Sequence, residues 1–227
     1  MFAWNGKTSE QMGLIVEDMP ALETADGNFK EISVLGRNGS LFIENTLPTI
    51  DKAVTVHYIG KDYLKLIKWL RGSGTVEFNN LKGHYYKAVI NNSIPISEIV
   101  RNKLSRFPII FTCQPCSYLK EGEQEIEITE PTILNCVKCT AESFPEITIT
   151  GTGNCRVGIN NKELRLDLSP VGADETFTLT VYTEDMYSDF GERVTGDFPT
   201  LNAGDNNIYF SGDVKKIIIK PKWRSII

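Results

Sequence analysis

The sequence predicts a mainly β protein of two β-rich domains, the first carrying one helix and the second a β-sandwich or barrel. Three observations carry this. Short runs rich in β-branched and aromatic residues, bounded by turn residues, recur along nearly the whole chain. Only Lys61–Arg71 has helical spacing. The turn-prone stretch Ser117–Gln124, with its polar run Lys120-Glu121-Gly122-Glu123, separates a mixed first half from a second half that is almost all strand. The boundary is therefore placed between domains 1–119 and 120–227, both of ordinary domain size.

In chain order, Gly27–Pro48 is long and mixed, with Arg37-Asn38-Gly39-Ser40 as its expected tip. Two readings stand side by side: an arm reaching a neighbouring subunit, or an ordinary surface hairpin. Val54–Tyr58, Thr75–Phe78, Tyr85–Ile90 and Phe107–Thr112 read as strands, with Pro108 marking a strand start or edge. In the helix Leu64, Ile67 and Leu70 fall three apart beside Tyr63, and Gly72-Ser73-Gly74 stops it.

The second half alternates with period two at Glu125–Thr129, Glu146–Thr150, Glu163–Leu168 and Thr176–Val181. Ile or Leu then lines one face and charges or Thr the other, as in a half-buried antiparallel sheet. Gly151-Thr152-Gly153-Asn154, Asn160-Asn161, Gly204-Asp205-Asn206-Asn207 and Ser211-Gly212-Asp213 are the expected turns. The series Glu121, Glu123, Glu125 and Glu127 reads as the wet face of one strand.

Composition excludes several classes. With 24 Lys+Arg against 29 Asp+Glu the net charge is −5, and no basic block offers a nucleic-acid face. No leader pattern and no apolar run of membrane-spanning length occurs, so folding in the cytoplasm and no membrane insertion are expected. In that compartment the five cysteines are expected as thiols or metal ligands rather than disulfides. Two histidines, a packed His57 and an exposed His84, leave no evident triad, and no phosphate or dinucleotide loop is present. Glu184, Asp185 and Asp189 read as a solvated acidic loop without calcium-loop spacing. Trp4, Trp69 and Trp223 read as core. No catalytic, cofactor-binding or metal residue is assigned.

The cysteines leave one alternative open. Cys113-Gln114-Pro115-Cys116 and Cys136-Val137-Lys138-Cys139 are two C-x-x-C pairs separated by 19 residues, a spacing within the zinc-ribbon range. Three features oppose a zinc site. Neither pair is followed by glycine, the first continues a strand, and the strand Glu125–Thr129 lies between them. Packed thiols are the other reading, and Cys155 is read as core.

The order of motifs adds a resemblance. Phe2-x-Trp4-Asn5-Gly6-Lys7 followed by Met12-Gly13-Leu14-Ile15-Val16-Glu17 resembles the start of the distal tail proteins of long-tailed bacteriophages. The helix ending Trp69-Leu70, then Gly-Thr-Val-Glu-Phe at 74–78, is similar, as is Phe107-x-Ile109-x-Phe111-x-Cys113-Gln114-Pro115. So are Gly196-Asp197-Phe198-Pro199-x-Leu201, Gly204-x-Asn206-x-Ile208, Ser211-Gly212, and Ile217-x-Ile219-x-Pro221-x-Trp223-Arg224. The resemblance covers nearly the whole chain.

It implies a non-enzymatic structural protein of a phage virion or a prophage tail-like particle, assembled in the bacterial host cytoplasm. Its N-terminal β-sandwich-like domain would form a homohexameric ring at the tail tip or baseplate. Its C-terminal domain would be a galectin-like β-sandwich. Implied partners are the tail tube protein, a tail-associated hub or lysin protein, and a receptor-binding or fibre protein. The family more often has an Asn-Pro-Gly-like connection where Cys136–Cys139 stands, so no zinc site transfers. No galectin sugar-binding set maps onto these positions, and the compact second domain leaves little room for an inserted carbohydrate-binding module. A saccharide-binding module on the sandwich and a zinc-binding protein remain the alternative functions.

Overall fold

The computed structural model describes residues 1–23, 27, 29–36, 38–60, 62–93, 105–170 and 175–227. Arg37, in the expected hairpin tip, and Lys61, at the expected helix start, lie outside the described residues. The chain divides into two compact units, Met1–Ser117 with Ile226–Ile227, and Tyr118–Ser225.

The first unit contains β1 (Phe2–Trp4), β2 (Lys7–Thr8), β3 (Leu14–Asp18), β4 (Phe29–Ser33), β5 (Ser40–Glu44), β6 (Ile50–Tyr58), α1 (Tyr63–Trp69), β7 (Ser73–Phe78), β8 (His84–Ile90) and β9 (Ser105–Cys113). Its main sheet runs β2-β1-β7-β8-β9-β6-β3. Strands β6 and β9 set its register, with Val54 opposite Ile109 and Val56 opposite Phe107, all four buried. The Phe111 ring lies 5.3–5.8 Å from the rings of Phe2, Trp4 and Phe78. Trp4 and Trp69 exchange hydrogen bonds, each indole N–H donating to the other's carbonyl at 2.9 and 3.0 Å. That reciprocal pair satisfies the buried indole of Trp4 and the partly buried one of Trp69 and pins the helix to the first strand.

Asp62 caps α1 by accepting from the Lys65 N–H at 3.0 Å. The buried face of the helix differs from the expected one. Leu66 and Leu70 are buried, four apart, whereas Leu64 is 66% exposed. The three-residue spacing of Leu64, Ile67 and Leu70 drifts around a short helix, and the i, i+4 pair faces the core instead.

Strand β10 (Ser117–Leu119) begins at the division, and the second unit contains β11 (Ile126–Ile128), β12 (Thr132–Cys136), β13 (Glu146–Ile159), β14 (Lys162–Leu168), β15 (Phe177–Tyr182), β16 (Tyr187–Ser188), β17 (Val194–Gly196), β18 (Gly204–Lys220) and β19 (Arg224–Ser225). Its sheet runs β11-β18-β13-β14-β17, with β12 also on β18 and β15 on β13. Strand β13 is flanked by β15 along Glu146–Gly151 and by β14 along Gly153–Ile159, with β18 on its other side. The sheet curls around a core that includes Ile147, Ile149, Val157, Leu164, Leu179, Ile217 and Ile219.

Three of the four expected turns in this unit lie inside strands. Gly151–Asn154 falls within β13, and Gly204–Asn207 and Ser211–Asp213 within β18. The β13–β18 ladder shifts register between Thr150 and Gly151 and again between Thr152 and Arg156. The turn-like residues therefore build bulges, which need left-handed glycines and unpaired residues just as turns do. At the second shift Gly212 takes φ 90°, and a β carbon there would lie 2.7 Å from the Asn154 carbonyl oxygen. Asn160-Asn161 is the loop as expected, closing the β13–β14 hairpin with Asn160 at φ 56°. The glutamate series is not one strand either. Lys120–Glu123 is a 3-10 turn, and Gly122 is pressed against the Trp223 backbone.

Asn206, taken as a turn residue, is fully buried. Its amide donates to the carbonyls of Leu134, Asn202 and Gly204. Its oxygen accepts from the Asn202 N–H and the Asn160 side chain at 2.7 and 2.9 Å. Every polar atom of this buried side chain is thus partnered.

Candidate functional site

Strands β4 and β5 stand apart. They form a two-stranded sheet whose strands pair only with each other. Lys30 lies opposite Ile43, Glu31 opposite Phe42 and Ile32 opposite Leu41. Since directly opposed residues share a face, Phe29, Glu31 and Phe42 occupy one side of the ribbon. Lys30, Ile32, Leu41 and Ile43 occupy the other. Both sides are apolar in part, and both are open. Phe42 is 68% exposed and Phe29 57%, while Leu35 in the connection is entirely exposed. None of these side chains belongs to the core of the first unit.

A lone two-stranded ribbon is marginal in water. Exposing apolar side chains on both faces raises that cost, because each face then needs a cover. The excursion Gly27–Pro48 thus contains a hairpin with exposed apolar side chains on both faces. Single positions such as Phe42 were beyond sequence reasoning. The signal that existed was apolar residues at both odd and even positions of β5, which one buried face cannot accommodate.

Strand β3 is an edge of the main sheet. Its pairing with β6 slips between Val16 and Asp18, which places Glu17 at a bulge. Glu17 accepts from the Arg106 Nε–H at 2.6 Å and faces His57 Nε2 at 3.1 Å. The hydrogen bond from Arg106 holds the Glu17 carboxyl below its ordinary value. A bulge bearing charge is a common way to blunt an edge strand. His57 is accordingly a strand histidine tied to a carboxylate. His84, expected exposed, is half-buried and within 3.1 Å of the Ser117 hydroxyl.

Lys52, Tyr86 and Cys113 form a buried cluster. The Lys52 ammonium lies 4.9 Å from the centroid of the Tyr86 ring. Burial lowers the Lys52 pKa. Burial also pushes Cys113 up to about 12 and Tyr86 up to about 12. A thiol held neutral in this way is a poor nucleophile and a poor metal ligand.

The other cysteines correct an expectation. Cys136 and Cys139 are joined in a disulfide, so the pair is neither two thiols nor two metal ligands. The Val137-Lys138 turn brings their Cα atoms to 5.7 Å, within disulfide range. Cys113, Cys116 and Cys155 are buried thiols. Cys113 and Cys116 belong to the first unit, Cys136 and Cys139 to the second. Among the described residues no group of three or more His, Cys, Asp or Glu is gathered so as to hold a metal ion. No described helix is long and apolar enough to cross a membrane.

An antiparallel β unit with a single α-helix among the described residues, followed by a second unit of curled sheet, is a fold also seen in a solved phage hub protein. One such structure is that of the SPP1 Dit (gp 19.1) protein, described as a paradigm of the hub adsorption apparatus in phages infecting Gram-positive bacteria. The two superpose with a TM-score of 0.70 over 96% of this chain and 97% of that one, at 12% sequence identity. No family model matches the chain, and no curated protein matches it in sequence.

Proposed function

We propose that this chain is a non-enzymatic structural protein of a phage tail tip, or of a phage-tail-like particle, and that it works by assembly. The observation that carries the reading is the arm: an isolated ribbon, apolar on both faces, on a unit with the tail-hub fold. Residues 1–119 form a homohexameric ring, in which each arm is covered by a neighbouring copy. A closed ring of head-to-tail contacts leaves no arm uncovered, whereas an open chain leaves one at its end. Residues 120–227 form a galectin-like β-sandwich. The ring joins the tail tube protein to the tail-associated hub or lysin protein and to the receptor-binding or fibre protein. Assembly takes place in the bacterial host cytoplasm, and the finished protein resides in the virion.

Gold-labelled antibody against the chain, applied to intact particles, tests the placement. Label confined to the distal end of the tail is expected. Label along the tube, or on the head, would overturn it.

A further inference from the structure

Strands β15 and β16 form a short hairpin at an edge of the second unit's sheet. Leu179 and Val181 are buried, and Ser188, opposite Val181, is buried with them. Tyr182 and Tyr187, opposed at the next position, therefore stand on the outer face. Their rings stack with centroids 5.8 Å apart. The turn Thr183–Met186 joins them and is held at its base. The Thr183 hydroxyl donates to the Pro145 carbonyl at 2.8 Å, and the Tyr118 hydroxyl donates to Glu184 at 3.2 Å. Beyond that base Met186 is 73% exposed and Tyr187 55%.

Folding explains only part of this knob. A cross-strand tyrosine pair supports a hairpin, but Met186 does not. Its φ is 49°, in the left-handed region where glycine or asparagine is the ordinary choice. Its side chain belongs to neither core cluster. A bulky thioether thus holds a costly backbone conformation and gains no burial from it. Methionine and tyrosine are side chains enriched where proteins meet.

The charge around the knob is of one sign. The segment Thr183–Glu192 includes Glu184, Asp185, Asp189 and Glu192, and no Lys or Arg. Asp189 lies close enough to Tyr182 to raise its phenol above the ordinary value. The cations of the adjoining row are already engaged. Lys220 is 3.3 Å from Glu146 and 3.4 Å from Glu125, and Lys222 is 3.3 Å from Glu146. Asp185 and Asp189 make no ion pair among the described residues. Nor do three of these acids gather so as to hold a metal ion.

We propose that the β15–β16 knob docks into a different polypeptide, one whose surface offers an apolar pocket edged by lysine or arginine. Met186 and Tyr187 enter the pocket, and Asp185 and Asp189 meet its basic rim. A second copy docking knob to knob sets carboxylates against carboxylates. Nucleic acid and anionic membranes meet the same repulsion. The held base presents the anchors in place, which lowers the ordering cost of binding. The partner belongs to the assembled particle, so the inference rests on the tail-tip reading. It involves one hairpin of one unit, and neither the arm nor the ring.

Footprinting and cross-linking on assembled particles test it, with the purified full-length chain as reference. Under hydroxyl radicals Met186 and Tyr187 should lose most of their oxidation in the particle. A photoreactive benzoylphenylalanine in place of Tyr187 should link to another tail polypeptide, beside a Lys or Arg of that chain. Met186→Gly relieves the backbone, so the purified variant should melt no lower than the parent. In particles it should cut the cross-link by about 10-fold or more, as loss of an interface anchor does. The pair Asp185→Asn and Asp189→Asn should weaken the link without moving the melting midpoint. Equal oxidation in particle and free chain, links only to copies of this chain, undiminished links in both variants, or a lower midpoint for Met186→Gly would overturn the proposal. Particles without gold label would remove the tail-tip reading as well, whereas labelled particles with a fully reactive Met186 remove this inference alone.

Discussion

Replacing Phe42 by serine should leave the fold alone and weaken association. Phe42 is 68% exposed on the ribbon and belongs to no core cluster. A phenylalanine side chain carries about 200 Å² of surface, so on the order of 130 Å² remains to be covered by a neighbour. At roughly 25 cal/mol per Å² that is about 3 kcal/mol per arm. This is an upper figure, because association also orders side chains. It corresponds to a loss of up to about a hundredfold in affinity. The folded subunit should change by less than about 0.5 kcal/mol, as at other uncovered surface sites. Sedimentation velocity over a dilution series reads the association, and urea unfolding of the dissociated species reads the fold. An unchanged dissociation midpoint would refute the argument. So would a destabilisation above about 1 kcal/mol, which would mean that the ring packs within its own chain.

Other expectations concern the interior. Asn206→Ala should cost about 2–4 kcal/mol in urea unfolding, because it strands the Asn202 N–H and the Leu134 carbonyl in a buried network; a cost below about 1 kcal/mol would contradict the network's role. Thiol counting in denaturant without reductant should find three thiols, rising to five after reduction, and native protein near pH 8 should react slowly; five thiols before reduction would dissolve the Cys136–Cys139 link. Cys113 and Tyr86 are held at about 12 in the fold against ordinary values of 9.0 and 10.0, so the neutral forms are favoured. Their contribution to stability is full below about pH 9 and disappears as pH rises toward 12. The urea midpoint should fall across that window, and a flat profile would show that neither group is buried.

Much of the architecture was legible because period and turn chemistry are local. Strands β6 to β9 of the first unit follow from β-rich runs between turn residues, and the alternation in the second unit and the single helix follow from spacing, whereas β1 to β5 were not read as strands. What failed did so for nameable reasons. Glycine and asparagine signal a positive φ but not its use, so the bulges of β13 and β18 read as turns. Asn206 is polar by composition and buried by partnership, and no local pattern reveals its five contacts across three segments. The helix face turned on Leu66, since a helix of seven residues is too short for one periodicity to exclude another. Disulfide formation at Cys136 and Cys139 was set aside on grounds of compartment, while the two-residue turn between them decides the geometry. The arm was visible as a long excursion. The exposure of both its faces depends on the folded ribbon and not on local pattern. The Tyr182–Tyr187 pair was invisible, because cross-strand opposition depends on register.

The ring is the central claim, and the mass of the assembled particle tests it most directly. Multi-angle light scattering on the purified chain at high concentration, with class averages from electron microscopy of the same fractions, reads both copy number and symmetry. The proposed assembly gives a particle of six copies, or a stack of such rings, with six-fold end views. An isologous dimer without rings, or a monomer at every concentration, would contradict it.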